Sequence, residues 1–112
     1  MSDQRMPFQD FDCYRVAREI AQRVHAANIP DAELRDQATR AAKSTFLNLC
    51  EGLPHRAVPM RRKYFNAALG SLHETVGAVD LAAAIGALGA EEAQAVAALG
   101  ARLRRMLFAL NK

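Results

Sequence analysis

The chain has 112 residues, of which 51% are apolar and 24% charged, and its formal net charge is +3. This length predicts a single domain over residues 1–112. There is no run of about 18 apolar residues, which excludes a membrane-spanning helix. The polar, acidic start MSDQRMPFQDFD is unlike a signal peptide, and Cys13 and Cys50 form no CxxC pair, which together predict a cytoplasmic protein with reduced thiols.

Four segments show the 3.6-residue periodicity of apolar side chains, and none shows the alternation of a strand. Asp31 is a favourable N-cap for the second segment, and Pro59 is accepted in the first turn of the third. The predicted helices are residues 10–27, 31–51, 59–85 and 90–110. Four long helices with short connections predict an all-α, antiparallel up-down-up-down four-helix bundle.

Small residues recur at helical spacing in the third and fourth helices, and they include Gly70, Gly77 and Gly100. A glycine inside a helix costs about 1 kcal/mol relative to alanine. We therefore expect a neighbouring helix to approach closely at these positions. That neighbour belongs either to the same chain or to another subunit.

The sequence NLCEGLPHR, residues 48–56, brings a thiol, a carboxylate and an imidazole close together. Zinc requires four convergent ligands, and a di-iron bundle requires Glu-x-x-His pairs, which the chain lacks. Cys50 with His55 or His73 is a conceivable nucleophile, but a cysteine beside leucines is more often inert packing. We interpret the stretch as a helix end, with Cys50 in the core and Gly52 in the left-handed conformation. No metal, cofactor or enzymatic activity is predicted.

Polar residues also recur at helical spacing inside the second and third helices. One interpretation is a ligand pocket. The favoured interpretation is a hydrogen-bond network that fixes the register of the helices, in which Arg40 pairs with a glutamate. The residues assigned to this structural network are Gln37, Arg40, Asn48, Glu51, Ser71 and Glu74.

Basic residues are concentrated in the second half of the chain, because residues 1–51 carry a net charge of −1 and residues 52–112 carry +4. Solvated helix faces and nucleic-acid contacts are both consistent with this pattern. In the fourth helix, complementarity with the helix dipole is a further explanation. The candidate phosphate-contacting residues are Arg56, Arg61, Arg62, Lys63, Arg102, Arg104 and Arg105.

Two motifs carry a family resemblance: QxxRAAxSxxxNxxEG at residues 37–52 and ALGSLxE at residues 68–74. They resemble the four-helix-bundle family whose founding members are encoded in intervening sequences of bacterial large-subunit ribosomal RNA genes. The opening FQDFDCYRVAREIA is similar to the first helix of that family. The resemblance implies a cytoplasmic bacterial homo-oligomer, typically a pentameric ring with a central channel.

A relative in that family is the accessory protein of diversity-generating retroelements, a basic pentamer that binds a reverse transcriptase and nucleic acid. The basic patches, taken with this assembly, predict a non-enzymatic homopentamer that binds RNA or DNA through its basic surfaces, and the resemblance makes a reverse transcriptase one candidate protein partner. The alternative is an interaction scaffold or accessory subunit that makes no direct contact with nucleic acid.

Overall fold

The computed structural model describes residues 5–111, which form four α-helices and no strand. The helices are α1 (Asp12–Ala27), α2 (Ala32–Gly52), α3 (Val58–Ala84) and α4 (Ala90–Leu110), and a short 3-10 turn, Pro7–Asp10, precedes α1. Each helix packs against its neighbours in the chain, and α1 also packs against α4. The predicted all-α four-helix bundle is therefore confirmed.

The helix boundaries follow local backbone chemistry. Asn28 adopts the left-handed conformation, with φ of 45°, and ends α1. Asp31 caps α2, because its Oδ1 accepts a hydrogen bond from the backbone N–H of Leu34 at 3.0 Å. Gly86, with φ of 80°, turns the chain out of α3 at a position that favours glycine. The connecting residue Ile29 is fully buried and closes that end of the core.

The core lies between the four helices, and α2 and α3 are the most closely packed pair. It is built from aliphatic side chains and one buried phenylalanine. Its largest fully buried apolar members are Phe65, Ile20, Ile29, Leu49, Leu72, Leu103 and Leu107. No helix within residues 5–111 is long and apolar enough to cross a membrane.

The prediction that Gly52 is left-handed is wrong. Gly52 is the last residue of α2, and Leu53 after it is still right-handed, with φ of −57°. A Cβ on Gly52 would lie 2.9 Å from the Cβ of Tyr64 and 3.0 Å from two ring carbons of Phe65. Glycine is needed here because Tyr64 and Phe65 of α3 occupy the space that a side chain would fill.

The small residues of α3 and α4 fall into two groups. Gly100 contacts α3 closely, since a Cβ on it would lie 2.8 Å from Cγ2 of Val76. Gly70 and Gly77, in contrast, are exposed, and a Cβ on either would meet no atom within 4 Å. The expected close approach therefore occurs within this chain at Gly100, whereas Gly70 and Gly77 have no such neighbour among residues 5–111.

Candidate nucleic-acid interface

The antiparallel arrangement brings the two basic stretches of the sequence to one end of the bundle. At that end, Tyr14 of α1 packs on Phe46 of α2 with ring centroids 5.1 Å apart. The start of α3 meets the end of α4, because Arg62 Nε donates a hydrogen bond to the carbonyl oxygen of Asn111 at 3.0 Å. Asn111 Nδ2 in turn donates to Asn66 Oδ1 at 3.0 Å.

We call this region the basic end and define it as residues 5–15, 46–66 and 102–111. It carries nine Lys/Arg and three Asp/Glu, a formal net charge of +6. All seven candidate phosphate-contacting residues belong to it: Arg56, Arg61, Arg62, Lys63, Arg102, Arg104 and Arg105. Arg61 is half-buried, and the other six are exposed. Lys112, at the end of the same basic stretch, lies outside the described residues.

These seven cations have no carboxylate partner within residues 5–111. Two of the three acids at the basic end are already paired, Asp10 with Arg5 and Asp12 with Arg15. The third, Glu51, forms no ion pair with any described residue. The positive charge of the cluster is therefore not neutralised within the described part of the chain.

The helix dipole does not account for the basic residues at the start of α3. The first turns of α1, α2 and α4 each contain an acid, whereas the first turn of α3 contains none. Arg61, Arg62 and Lys63 follow at the positive end of the dipole, which favours anions, so the dipole gives no reason for cations here.

Helix-dipole complementarity explains little of the basic cluster on α4 either. Its last turn contains no basic residue, and Arg102, Arg104 and Arg105 lie further back. The dipole effect falls off within the last turn of a helix. These three side chains thus extend the positive surface started by α3 and are not helix caps.

Three aromatic side chains lie among these cations. His55 stacks on Tyr64 with nearly parallel rings and centroids 5.6 Å apart, and Lys63 Nζ lies 5.5 Å from the Tyr64 ring centroid. Arg104 lies 4.6 Å over the ring of Phe108, which is 47% exposed. The next residue, Phe65, is fully buried, whereas Tyr64 is half-exposed.

The polar residues assigned to a structural network lie on the outer side of the α2–α3 pair. Gln37 Nε2 donates to Glu74 Oε2 at 3.0 Å, and the Oγ atoms of Ser44 and Ser71 are 2.7 Å apart. Asn48 Nδ2 donates to the carbonyl oxygen of Ser44 at 2.9 Å. The first two contacts join α2 to α3 at positions two turns apart on α2, and the third lies within α2.

Two residues of the proposed network make no such contact. Arg40 and Glu51 form no hydrogen bond or ion pair among the described residues, so the expected pairing of Arg40 with a glutamate is absent there. Both line an open groove beside α2 together with Leu47, which is 58% exposed. This part of the predicted network faces solvent.

The cluster in NLCEGLPHR does not assemble into a site. Cys50 is half-buried, not fully in the core as predicted. Burial, and secondarily the charge of Glu51, raise the pKa of its thiol, which disfavours the nucleophilic thiolate. His55 faces Tyr64. Within the part of the chain that the structure describes, no three His, Cys, Asp or Glu side chains converge as a metal site requires.

Sequence reasoning does not single out Asn111, which connects α3 to the end of α4 through Arg62 and Asn66. No local pattern marks this contact, because it depends on which helix ends lie together. In contrast, a polar stripe along one side of α2 can be predicted from the spacing of Gln37, Ser44 and Asn48.

These features define an all-α four-helix-bundle protein with one strongly basic end. Residues 9–109 match the family described as 23S rRNA-intervening sequence protein, and the chain belongs to this family. The family resemblance seen in the two sequence motifs is thereby confirmed. A search of curated proteins gives no match to the chain.

Proposed function

We propose that this protein is a non-enzymatic, cytoplasmic homo-oligomer, a pentameric ring, that binds RNA or DNA through its basic end. One observation carries the nucleic-acid proposal: seven Lys/Arg side chains gather at one end of the bundle without a carboxylate partner among residues 5–111. Such a surface attracts the phosphate groups of nucleic acids, and this attraction depends little on the base sequence.

The position of the cluster supports phosphate binding more than a merely solvated face. Arg62 near the start of α3 contacts Asn111 at the end of α4, so the basic residues of both helices lie at one end of the bundle, where a single polyanion could contact both groups. Five copies in a ring would carry five such ends. Several weak phosphate contacts acting together give an affinity that no single contact reaches.

The partly exposed aromatic groups favour single strands over duplexes. Phe108, with Arg104 over its ring, and the half-exposed Tyr64, stacked on His55, place aromatic rings among the cations. Stacking of bases on such rings contributes about 1–3 kcal/mol per base in proteins that bind single strands. A duplex keeps its bases stacked internally and cannot use these faces.

The test is equilibrium binding of a fluorescent single-stranded RNA and a duplex DNA by anisotropy between about 50 and 300 mM salt. The variant R61A/R62A/K63A should flatten the salt dependence, because each lost single-strand phosphate contact lowers the slope of log K against log salt by about 0.7. The matched control R18A/R40A/K43A removes the same charge from the middle of the bundle and should leave the slope near the wild-type value. Binding that is absent or insensitive to salt contradicts the proposal.

A second candidate function is a protein-interaction scaffold without nucleic-acid contact. It is favoured by the solvent-facing side of α2 and α3, where Gly70 and Gly77 have open space and Leu47 is exposed. Copurification of a protein, for example a reverse transcriptase, that survives nuclease and high salt would support it. Native mass spectrometry of the purified protein tests the pentamer separately, because it reports the number of chains.

A further inference from the structure

The charge of the molecule changes sign along the bundle axis. At the end opposite the basic end, Arg23 of α1 contacts Glu92 of α4 at 3.5 Å, and α2 begins beside the end of α1. We call this region the acidic end and define it as residues 22–36 and 77–95. It carries six Asp/Glu and two Arg, a formal net charge of −4, against +6 at the basic end.

Several carboxylates of the acidic end are available to an external partner. The two arginines there are engaged, Arg23 with Glu19 and Glu92, and Arg35 with Asp36 at 3.8 Å. Glu33, Asp80 and Glu91 are exposed and form no hydrogen bond or ion pair with a described residue. The two ends thus differ in sign, and each has charges that the described chain leaves unpaired.

Each end also exposes large apolar side chains near its charges. The acidic end has Leu81 and Ile85, the latter 56% exposed, and the basic end has Val58, Met60 and Phe108. Isolated exposed apolar residues are ordinary, but here they accompany opposite charges at two ends of one molecule. Contact between such ends would pair charges and remove apolar surface from water together.

We propose that the acidic end of one copy docks on the basic end of a second copy, head to tail. The two surfaces differ, so the contact is heterologous and does not close into a dimer. They lie at opposite ends of a bundle whose longest helix, α3, has 27 residues and spans about 40 Å. Repetition therefore adds copies along the bundle axis, and side-by-side copies in a ring would stack ring upon ring.

The proposed contact is weak and depends on salt. Exposed ion pairs contribute little individually and are screened by salt. Self-association is thus expected at low ionic strength and at high protein concentration, and five parallel contacts between rings would strengthen it. Because the contact covers the basic end, a bound nucleic acid would compete with stacking for the same surface.

The experiment is sedimentation velocity of nucleic-acid-free protein at about 25 and 500 mM NaCl over a range of concentrations. The species present at high salt serves as the reference. We expect larger, concentration-dependent species at low salt. The acidic-end variant E33K/E91K and the basic-end variant K63E/R105E should each stay at the reference size in both salts. The control R18E/K43E changes charge in the middle of the bundle and should still associate.

A mixture of the two end variants completes the test. The intact basic end of E33K/E91K can receive the intact acidic end of K63E/R105E, but the product offers no second pair of intact ends. The mixture should therefore form a species of twice the reference mass that does not grow further. Low-salt association that survives both charge reversals would assign the contact to another surface and overturn the proposal. The proposal is also overturned if the wild type sediments at the same size at low and at high salt.

This inference is separable from nucleic-acid binding. E33K/E91K should lose self-association and keep its affinity for single-stranded RNA, whereas K63E/R105E should lose both. Circular dichroism and thermal unfolding establish that each variant is folded. If RNA binding is absent in the wild type but salt-dependent association is present, the proposed function fails and the head-to-tail contact stands.

Discussion

Gly52, the last residue of α2, lies directly against the ring of Phe65 near the start of α3. A Cβ at position 52 would be 3.0 Å from two ring carbons of Phe65 and 2.9 Å from the Cβ of Tyr64. Phe65 is fully buried and Tyr64 is stacked on His55, so neither can move away freely. The glycine therefore sets how closely α2 and α3 approach at the basic end.

Replacement of Gly52 by alanine should destabilise the protein. The clash with Tyr64 and Phe65 costs about 1–3 kcal/mol, which exceeds the helical gain of about 0.5–1 kcal/mol. Gly70→Ala is the matched control, because its Cβ enters open space on the same pair of helices. It should stabilise by about 0.5–1 kcal/mol. Urea unfolding of both variants measures whether the changes in the free energy of unfolding have opposite signs. If both variants are stabilised, α3 must shift at Tyr64 to make room for the new Cβ.

The Ser44–Ser71 contact should couple α2 to α3 energetically. A double-mutant cycle with Ser44→Ala and Ser71→Ala should give an interaction free energy of about 1 kcal/mol. Ser71→Ala should be the milder single change, because Asn48 Nδ2 lies 3.2 Å from Ser44 Oγ and can keep that hydroxyl partnered. The free energies of unfolding come from urea titrations. Additive single effects would show that the hydroxyls bond to water.

The Phe108 ring should matter for single strands and not for duplexes. Phe108→Ala is expected to weaken binding of single-stranded RNA by about fivefold or more, as loss of one stacked base would. The slope against salt should stay unchanged, because Arg104 keeps its charge. Leu81→Ala, at the other end of the bundle, is the matched loss of an exposed apolar side chain. Equal weakening of duplex binding would exclude a stacking role.

The Cys50 thiol should react slowly at neutral pH and faster at higher pH. Burial is the main cause of its raised pKa, and the negative charge of Glu51 is the second cause. Removing that charge in E51Q lowers the pKa, so the thiolate fraction at pH 8 increases. Iodoacetamide rates between pH 7 and 10 in a C13A background measure it; a slower rate in E51Q would contradict this sign.

The helices could be predicted because their signals are local. Asp31 caps α2 and Pro59 stands in the first turn of α3, and both follow from side-chain chemistry within one turn. The predicted start at residue 10 is two residues early, since the 3-10 turn Pro7–Asp10 precedes α1. The remaining boundaries agree within one residue of Ala32–Gly52, Val58–Ala84 and Ala90–Leu110.

The features that were predicted wrongly, or not predicted at all, depend on contacts between residues distant in the sequence. A glycine at a helix end usually marks a left-handed turn, but at Gly52 the approach of Phe65 requires it instead. The buried position of Ile29 has a similar origin, since only the packed bundle provides its pocket. Whether Arg40 meets a glutamate is likewise decided by the assembled helices, and spacing along α2 does not determine it.

The charge polarity has a consequence for how the molecule meets any extended charged object. A net charge of +3 predicts weak retention on a cation exchanger. A molecule with a charge of +6 at one end can nevertheless adsorb through that end alone. Adsorbed in this way, every copy would stand with its helices upright and its carboxylates directed away. A negatively charged surface would then be covered by a layer of uniform orientation, and the face it presents to the solution would again be negative.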